Sequence, residues 1–236
     1  MIHLRVRREE SQPARGTLVN QMLDRRSVSS LSFTRLAIAA VCWLVALIAP
    51  AAQGDEPRGN SAAYVDNGER EFREADYKGA VYSWKHALAD DADNGVLLLM
   101  YSQGLLAIGH YNQSSGAAQR AIEILPEEHW GVVVENFREL YGRPQDYTPH
   151  LRALEKAVKD KPDDPALRFL AGYHYHFLGY SKQALDQLDK GLKKAPQDLV
   201  MRKLRERVAA KIKSDEAKAE KAKLPADASK TVESTP

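Results

Sequence analysis

Between residues 95 and 126 the apolar positions recur with a helical period. Leu98, Tyr101, Ser102 and Leu105 fall at i, i+3, i+4 and i+7, which is one face of a helix. Ser114, Ala118 and Ala121 mark the inward face of a second helix, and Pro126 stops it. The same arrangement returns at 165–198. Asp163-Asp164-Pro165 reads as a helix start, an acidic cap followed by a proline in the first turn, where a missing N–H costs nothing. Ala171, Gly172 and Tyr175 then give a small–small–aromatic face. Ala184, Leu188 and Gly191 follow on the next helix, and Pro196 closes it. The small residues matter because two helices approach closely only where no bulky side chain intervenes. Val200, Leu204, Val208 and Ile212 recur at every fourth position with Met201 beside them, which predicts a last helix over 199–213.

These helix pairs repeat at a fixed distance. Ala75-Asp76-Tyr77 and Gly109-His110-Tyr111 stand 34 residues apart, Trp84 lines up with Ala118, and Ala87 with Ala121. A first unit therefore occupies 61–94. Tyr64 and Gly68 lie on its first helix, Ala80, Trp84 and Ala87 on its second, and Ala92 stands where other units have proline. The stretch 129–164 is degenerate. Asp146-Tyr147 repeats the turn, and Leu154, Ala157 and Pro162 repeat the second helix. Val134, Phe137 and Tyr141 keep the spacing of a first helix, but Arg138 takes the small position, and Gly142 and Pro144 end that helix early. Pro126 and Pro162 are 36 residues apart, so two extra residues widen this unit. A period in this range is the signature of a helical solenoid, in which each pair buries its apolar face on its neighbours.

The pattern over 61–198 resembles the tetratricopeptide repeat (TPR). The resemblance implies an all-α fold, an α-α superhelical solenoid of about four TPR-like helical hairpins with a C-terminal capping helix. It also implies that the first helices of successive units line a concave groove that takes a peptide or helix. On that basis the groove positions are Glu69 and Phe72 in the first unit, Leu99, Gln103 and Leu106 in the second, and Phe169, Tyr173 and His176 in the last. The set mixes aromatic and aliphatic groups and lacks the Lys/Arg clamp that such repeats use on carboxylate-ended peptides. An apolar helix or extended segment, held by aromatic anchors, is the expected ligand. The alternative is that these residues pack against the irregular 129–147 segment or an adjacent subunit.

Composition changes the picture at the ends of this 236-residue chain. Residues 36–54 carry no charge, and 36–49 are nearly all apolar. Arg25, Arg26 and Arg35 precede the run, and Ala52-Gln53-Gly54 follows it. A basic region, a short apolar run and a small-x-small end describe a secretory signal peptide. The apolar run is shorter than the roughly 20 residues of a membrane span. Cleavage is expected after Gly54, with Ala51 as the other site, and Met22 offers a more ordinary start than Met1. The alternative is an uncleaved anchor at 36–54 that leaves the repeats outside.

Removal of 1–54 takes away Cys42, the only cysteine, and with it disulfides, zinc–thiolate sites and cysteine catalysis. The formal charge of +2 then falls to −2, with 27 basic and 29 acidic residues of interspersed sign, which argues against general nucleic-acid binding. Lys, Ala, Glu, Asp, Ser and Pro dominate from Ser214 onward. Residues 214–223 extend the last helix as a frayed end, and the remainder is too polar to fold.

No motif for chemistry stands out. There is no glycine-rich phosphate loop, no Gly-x-Ser-x-Gly elbow and no paired-histidine zinc helix. His174 and His176 are about 200° apart on a helix and cannot share a metal. Asp90, Asp91 and Asp93 lack the glycine and terminal glutamate of a calcium loop. Asn112-Gln113-Ser114 is a glycosylation sequon on a packing position, and no catalytic triad shows by spacing.

The expected organisation is a signal peptide at 1–54, a linker at 55–60, the repeat domain at 61–213 and a charged tail at 214–236. The expected role is a non-catalytic protein-interaction scaffold at the cell envelope, without metal or cofactor. The alternatives are a structural homo-oligomer and a membrane-anchored accessory subunit of an enzyme complex.

Overall fold

A computed structural model describes residues 59–223 of the chain. The expected signal peptide at 1–54 and the tail beyond 223 lie outside them. The described residues are all-α, a series of packed helical hairpins. The helices are α1 (Gly59–Arg73), α2 (Tyr77–Asp90), α3 (Gly95–Ala107), α4 (Tyr111–Ile124), α5 (Val132–Glu135), α6 (Phe137–Leu140), α7 (Tyr147–Asp160), α8 (Pro165–Phe177), α9 (Ser181–Lys194) and α10 (Leu199–Lys223). Single 3₁₀ turns at Glu127–His129 and Pro144–Asp146 bracket α5 and α6. The helix α10 thus runs on through 214–223.

The 34-residue period is visible in the helix starts. Tyr77 and Tyr111 are 34 apart, and so are Tyr147 and Ser181. From Tyr111 to Tyr147 is 36, which places the two extra residues in the third unit.

Local chemistry sets the helix ends. The side chains of Asp76, Asn94 and Asp164 accept hydrogen bonds from the first-turn amides Gly79 N, Leu97 N and Ala166 N, and so satisfy donors that have no partner within the helix. The turn inside each regular hairpin has one construction. The amides of Ala75 and Asp76 donate to the carbonyls of Phe72 and Glu71, those of Gly109 and His110 to Leu106 and Leu105, and those of Gly179 and Tyr180 to His176 and Tyr175. This double closure needs a left-handed residue at its first position. Gly109 (φ 77°) and Gly179 (φ 90°) supply it without cost, whereas Ala75 adopts φ 65° with a side chain in place.

Close approach at small residues holds the pairs together. Trp84 is fully buried in α2 and lies between Gly68 of α1 and Gly104 of α3, positions where a Cβ would meet the indole at 2.4 and 3.1 Å. Between α3 and α4, Ser102 and Ser114 exchange hydrogen bonds, each hydroxyl donating to the other's carbonyl at 2.8 Å. Gly172 of α8 sits under Leu188 of α9, and Gly191 under Met201 of α10.

The third unit departs from the pattern. Its first helix is broken into the two short helices α5 and α6, with a break at Asn136, whose side chain donates to the Val132 carbonyl at 2.7 Å. Two single turns cannot present a full helical face to α4. The first helix of the last unit, α8, packs there instead, while α7 packs on α8 and on α3. Leu106, Leu154, Val158, Leu167, Leu170 and Ala171 form the buried cluster at this junction. The last helix, α10, covers α9 with Met201, Leu204 and Val208, each fully buried.

Candidate functional site

The eight expected groove residues lie on α1, α3 and α8, as the repeat register requires. None is open to solvent. Phe72, Leu99, Gln103, Leu106, Phe169, Tyr173 and His176 are all buried, the most accessible being His176 at 8 %. Glu69 is buried too, and it accepts an ion pair from Arg73 at 3.1 Å. An open groove is therefore not what the chain presents at these positions, because the third unit's broken helix fills the space. The segment 130–141 crosses from α8 to α1, with α5 packed on α3 and α8 and α6 on α1.

Aromatic groups and a few hydrogen bonds seat the segment. At the α8 end, the Tyr173 hydroxyl donates to the Trp130 carbonyl at 2.6 Å. Gly131 lies against the Phe177 ring so tightly that a Cβ would fall 2.0 Å from it. At the α1 end, Tyr141 packs edge-on to Phe72 with ring centroids 4.7 Å apart, and Gly142 meets the Arg73 carbonyl in the same way, a Cβ falling 2.0 Å from its oxygen. In the middle, Gln103 Nε2 donates to the Tyr141 hydroxyl at 2.8 Å, and that hydroxyl pairs with His150 Nδ1 at 3.0 Å. The Tyr77 hydroxyl donates to Asp146 at 3.1 Å just beyond the segment. Of the expected residues, Phe72, Gln103 and Tyr173 thus touch the crossing segment directly, and Leu106 joins the α7–α8 cluster.

Burial sets the electrostatics of this face. Tyr141, Tyr147 and Tyr173 are pushed well above the ordinary phenol value by loss of solvent, although the Gln103 hydrogen bond opposes the shift at Tyr141. Burial lowers the imidazoles in turn. His174 falls to about 3, and His176 to about 4 with Arg207 and Lys211 adding to the effect. His174 Nδ1 pairs with the Tyr147 hydroxyl at 2.7 Å, and its Nε2 has no partner among the described residues. Near neutrality every one of these groups is uncharged. The network suits holding a segment in place more than moving protons.

Sequence reasoning missed Trp130, Val133, Leu140, Tyr147, His150 and His174 as parts of this face. Two signals were available. Trp130 and three consecutive valines are too apolar for an exposed loop, and Tyr141 directly before Gly142 marks an anchor beside a close approach.

Among the described residues, open clefts lie elsewhere. One of about 330 Å³ lies between α7, α8 and α9, with Glu155, Lys159, Arg168, Tyr175 and Gln187 at its rim. Another, about 390 Å³, lies between the start of α9 and the outer part of α10, beside the exposed Tyr180. Among the described residues no helix is long and apolar enough to cross a membrane, and no group of three His, Cys, Asp or Glu could hold a metal.

No family model matches the chain, and no curated protein does. Solved structures do. The crystal structure of a MamA protein is similar at 19% identity over 70% of this chain and 97% of that one, with a TM-score of 0.29. MamA from residue 41 to its end, from Desulfovibrio magneticus RS-1, is similar at 17% identity over 74% and 100%, also at 0.29. MamA MSR-1 is similar at 19% identity over 66% and 89%, again at 0.29. Each is a similarity of this chain to that structure and nothing more.

Proposed function

We propose that the chain is a non-catalytic protein-interaction module of tetratricopeptide type, whose concave face accepts a helical or extended segment through aromatic anchors. The observation that carries this reading is the seat of 130–141. A segment of the same chain lies across the first helices of three units, anchored by Trp130 and Tyr141. It has the chemistry expected of a ligand for Phe72, Gln103 and Tyr173, with buried apolar anchors and with its charged residues Glu135, Arg138 and Glu139 turned to solvent. The groove residues therefore act on a segment already in place, and a partner segment of the same kind would take that place in trans. The neutral hydrogen-bond network beneath supports a binding role. We place the module outside the cytoplasm, on the uncharged run 36–54 behind Arg25, Arg26 and Arg35.

A labelled peptide of residues 128–143 tests the reading. Its target is the full chain bearing Trp130→Ala and Tyr141→Ala, which loosens the resident segment. Saturable binding to a variant of unchanged helical content, competed by unlabelled peptide, supports the groove. No binding by a variant that remains helical moves the interaction surface elsewhere. Mass analysis of the chain recovered from an expressing bacterium tests export, with loss of 1–54 as the expected result.

A further inference from the structure

Charge is sorted along the solenoid. The interspersed signs expected from composition are not what the fold displays. Residues 59–146 carry 7 Lys and Arg against 14 Asp and Glu, while 147–223 carry 18 against 11. The extremes lie at the two ends. Residues 59–94 hold 4 basic and 8 acidic groups, and α10 holds 9 basic and 4 acidic groups. One end of the repeat stack is an anion and the other a cation.

Both ends present faces that no described residue covers. The inward stripe of α10 packs on α9. Its opposite stripe, Leu199, Lys203, Glu206, Ala210, Lys213 and Lys221, is exposed throughout, and Leu199 is 69 % accessible. Three cations thus share that face with apolar groups. At the other end Ala62, Ala63 and Asp66 of α1 are exposed, flanked by the exposed Glu74 and by Asp90, Asp91 and Asp93 in the α2–α3 turn. Among the described residues Asp66, Glu74 and Asp90 take part in no ion pair, nor do Lys213, Lys218 and Lys221. Their charges are therefore available to a partner.

We infer that the acidic α1–α2 end and the basic outer face of α10 dock on each other between copies of this chain, head to tail. The occupant is a second copy because the chain itself carries the complementary charge in matching amount, 7 net negative in one half and 7 net positive in the other. Contact of unlike ends is heterologous, so it propagates and does not close at two subunits, giving open rows or rings. Attraction between exposed charges of this kind reaches about 10 Å at 0.1 M salt and is lost as salt rises. This inference concerns the ends of the stack and does not rest on the concave face.

Sedimentation velocity on the purified full chain, over about a hundredfold range of concentration and at low and high salt, is the first measurement. The expected result is an average mass that rises with concentration, with at least about tenfold weaker association at high salt. Two charge-reversal variants assign the surfaces: Asp66→Lys/Glu74→Lys/Asp90→Lys and Lys213→Glu/Lys218→Glu/Lys221→Glu. All six positions are exposed, so circular dichroism should match the parent chain. Each variant alone should be a monomer, and the two mixed should associate, because the mixture restores opposite ends. A parent chain that stays monomeric at low salt overturns the inference. So does association that survives either reversal, or a mixture that stays monomeric.

Discussion

The three hairpin turns differ at one atom. Ala75 takes the same left-handed place as Gly109 and Gly179, and its Cβ makes that backbone costly. Ala75→Gly should therefore stabilise the chain by roughly 0.5–1 kcal/mol, read as a higher midpoint in urea. Two other substitutions of one methyl group should have opposite signs. At Gly142 the new Cβ meets the fixed backbone oxygen of Arg73, so Gly142→Ala should destabilise by about 1–3 kcal/mol. At Gly116, exposed in the middle of α4 with nothing within 4 Å, the change to Ala should stabilise by about 0.5–1 kcal/mol. Equal effects at both sites would contradict the packing at Gly142. Acid should act through the buried imidazoles. His174 and His176 bind protons in the unfolded chain near the usual 6.5 but in the fold only at about 3 and 4. Between those values the unfolded state holds more protons, so stability is fully present above about pH 6.5 and falls as pH drops toward 3. His174→Asn keeps an acceptor for the Tyr147 hydroxyl and cannot titrate. Its denaturation midpoint should fall less steeply with acid, and an unchanged slope would remove His174 from this account.

At the scale of elements, α10 has two parts that should respond differently to truncation. Met201, Leu204 and Val208 are buried, whereas 214–221 is exposed and makes only surface ion pairs such as Lys182–Glu216 at 3.9 Å. Such pairs contribute about 0–1 kcal/mol. A chain ended after Lys213 should melt within a few degrees of the parent, whereas one ended after Asp198 should lose its cooperative melt or aggregate. The paired helices were legible because each buries one face against a like neighbour, which writes a 3.6-residue period with small residues at the contacts. The units at 95–128 and 165–198 show it plainly, and the 34-residue offset identified the hairpin turns. The crossing segment was not legible in the same way. Its residues meet α1 at one end and α8 at the other, so no single helical face repeats, and its two shortest helices are one turn each. The expected groove positions lie buried on α1, α3 and α8, and no local pattern reports a cover that comes from elsewhere in the chain. The packing of α8 on α4 was invisible for the same reason, since it depends on a helix that failed to form 30 or so residues away.

At the scale of the whole molecule, an ordinary repeat stack behaves as a row of units, each touching only the next. Here 130–141 reaches from the last hairpin to the first, held at Gly131 against Phe177 and at Gly142 against Arg73, and Glu127 adds an ion pair to Arg207 of α10 at 2.6 Å. Mechanically this is a tie laid along a spring. A spring without a tie yields turn by turn at low load. This one must break both anchors before any hairpin slides, so the load is shared and release is abrupt. Stretched between residues 59 and 223 in an optical trap, the chain should resist extension and then open in one large step, and Gly142→Ala should restore gradual yielding. A parent chain that unravels in small successive steps would show that the tie bears no load. The insertion that spoiled the regularity of the third repeat would then be what makes the stack stiff.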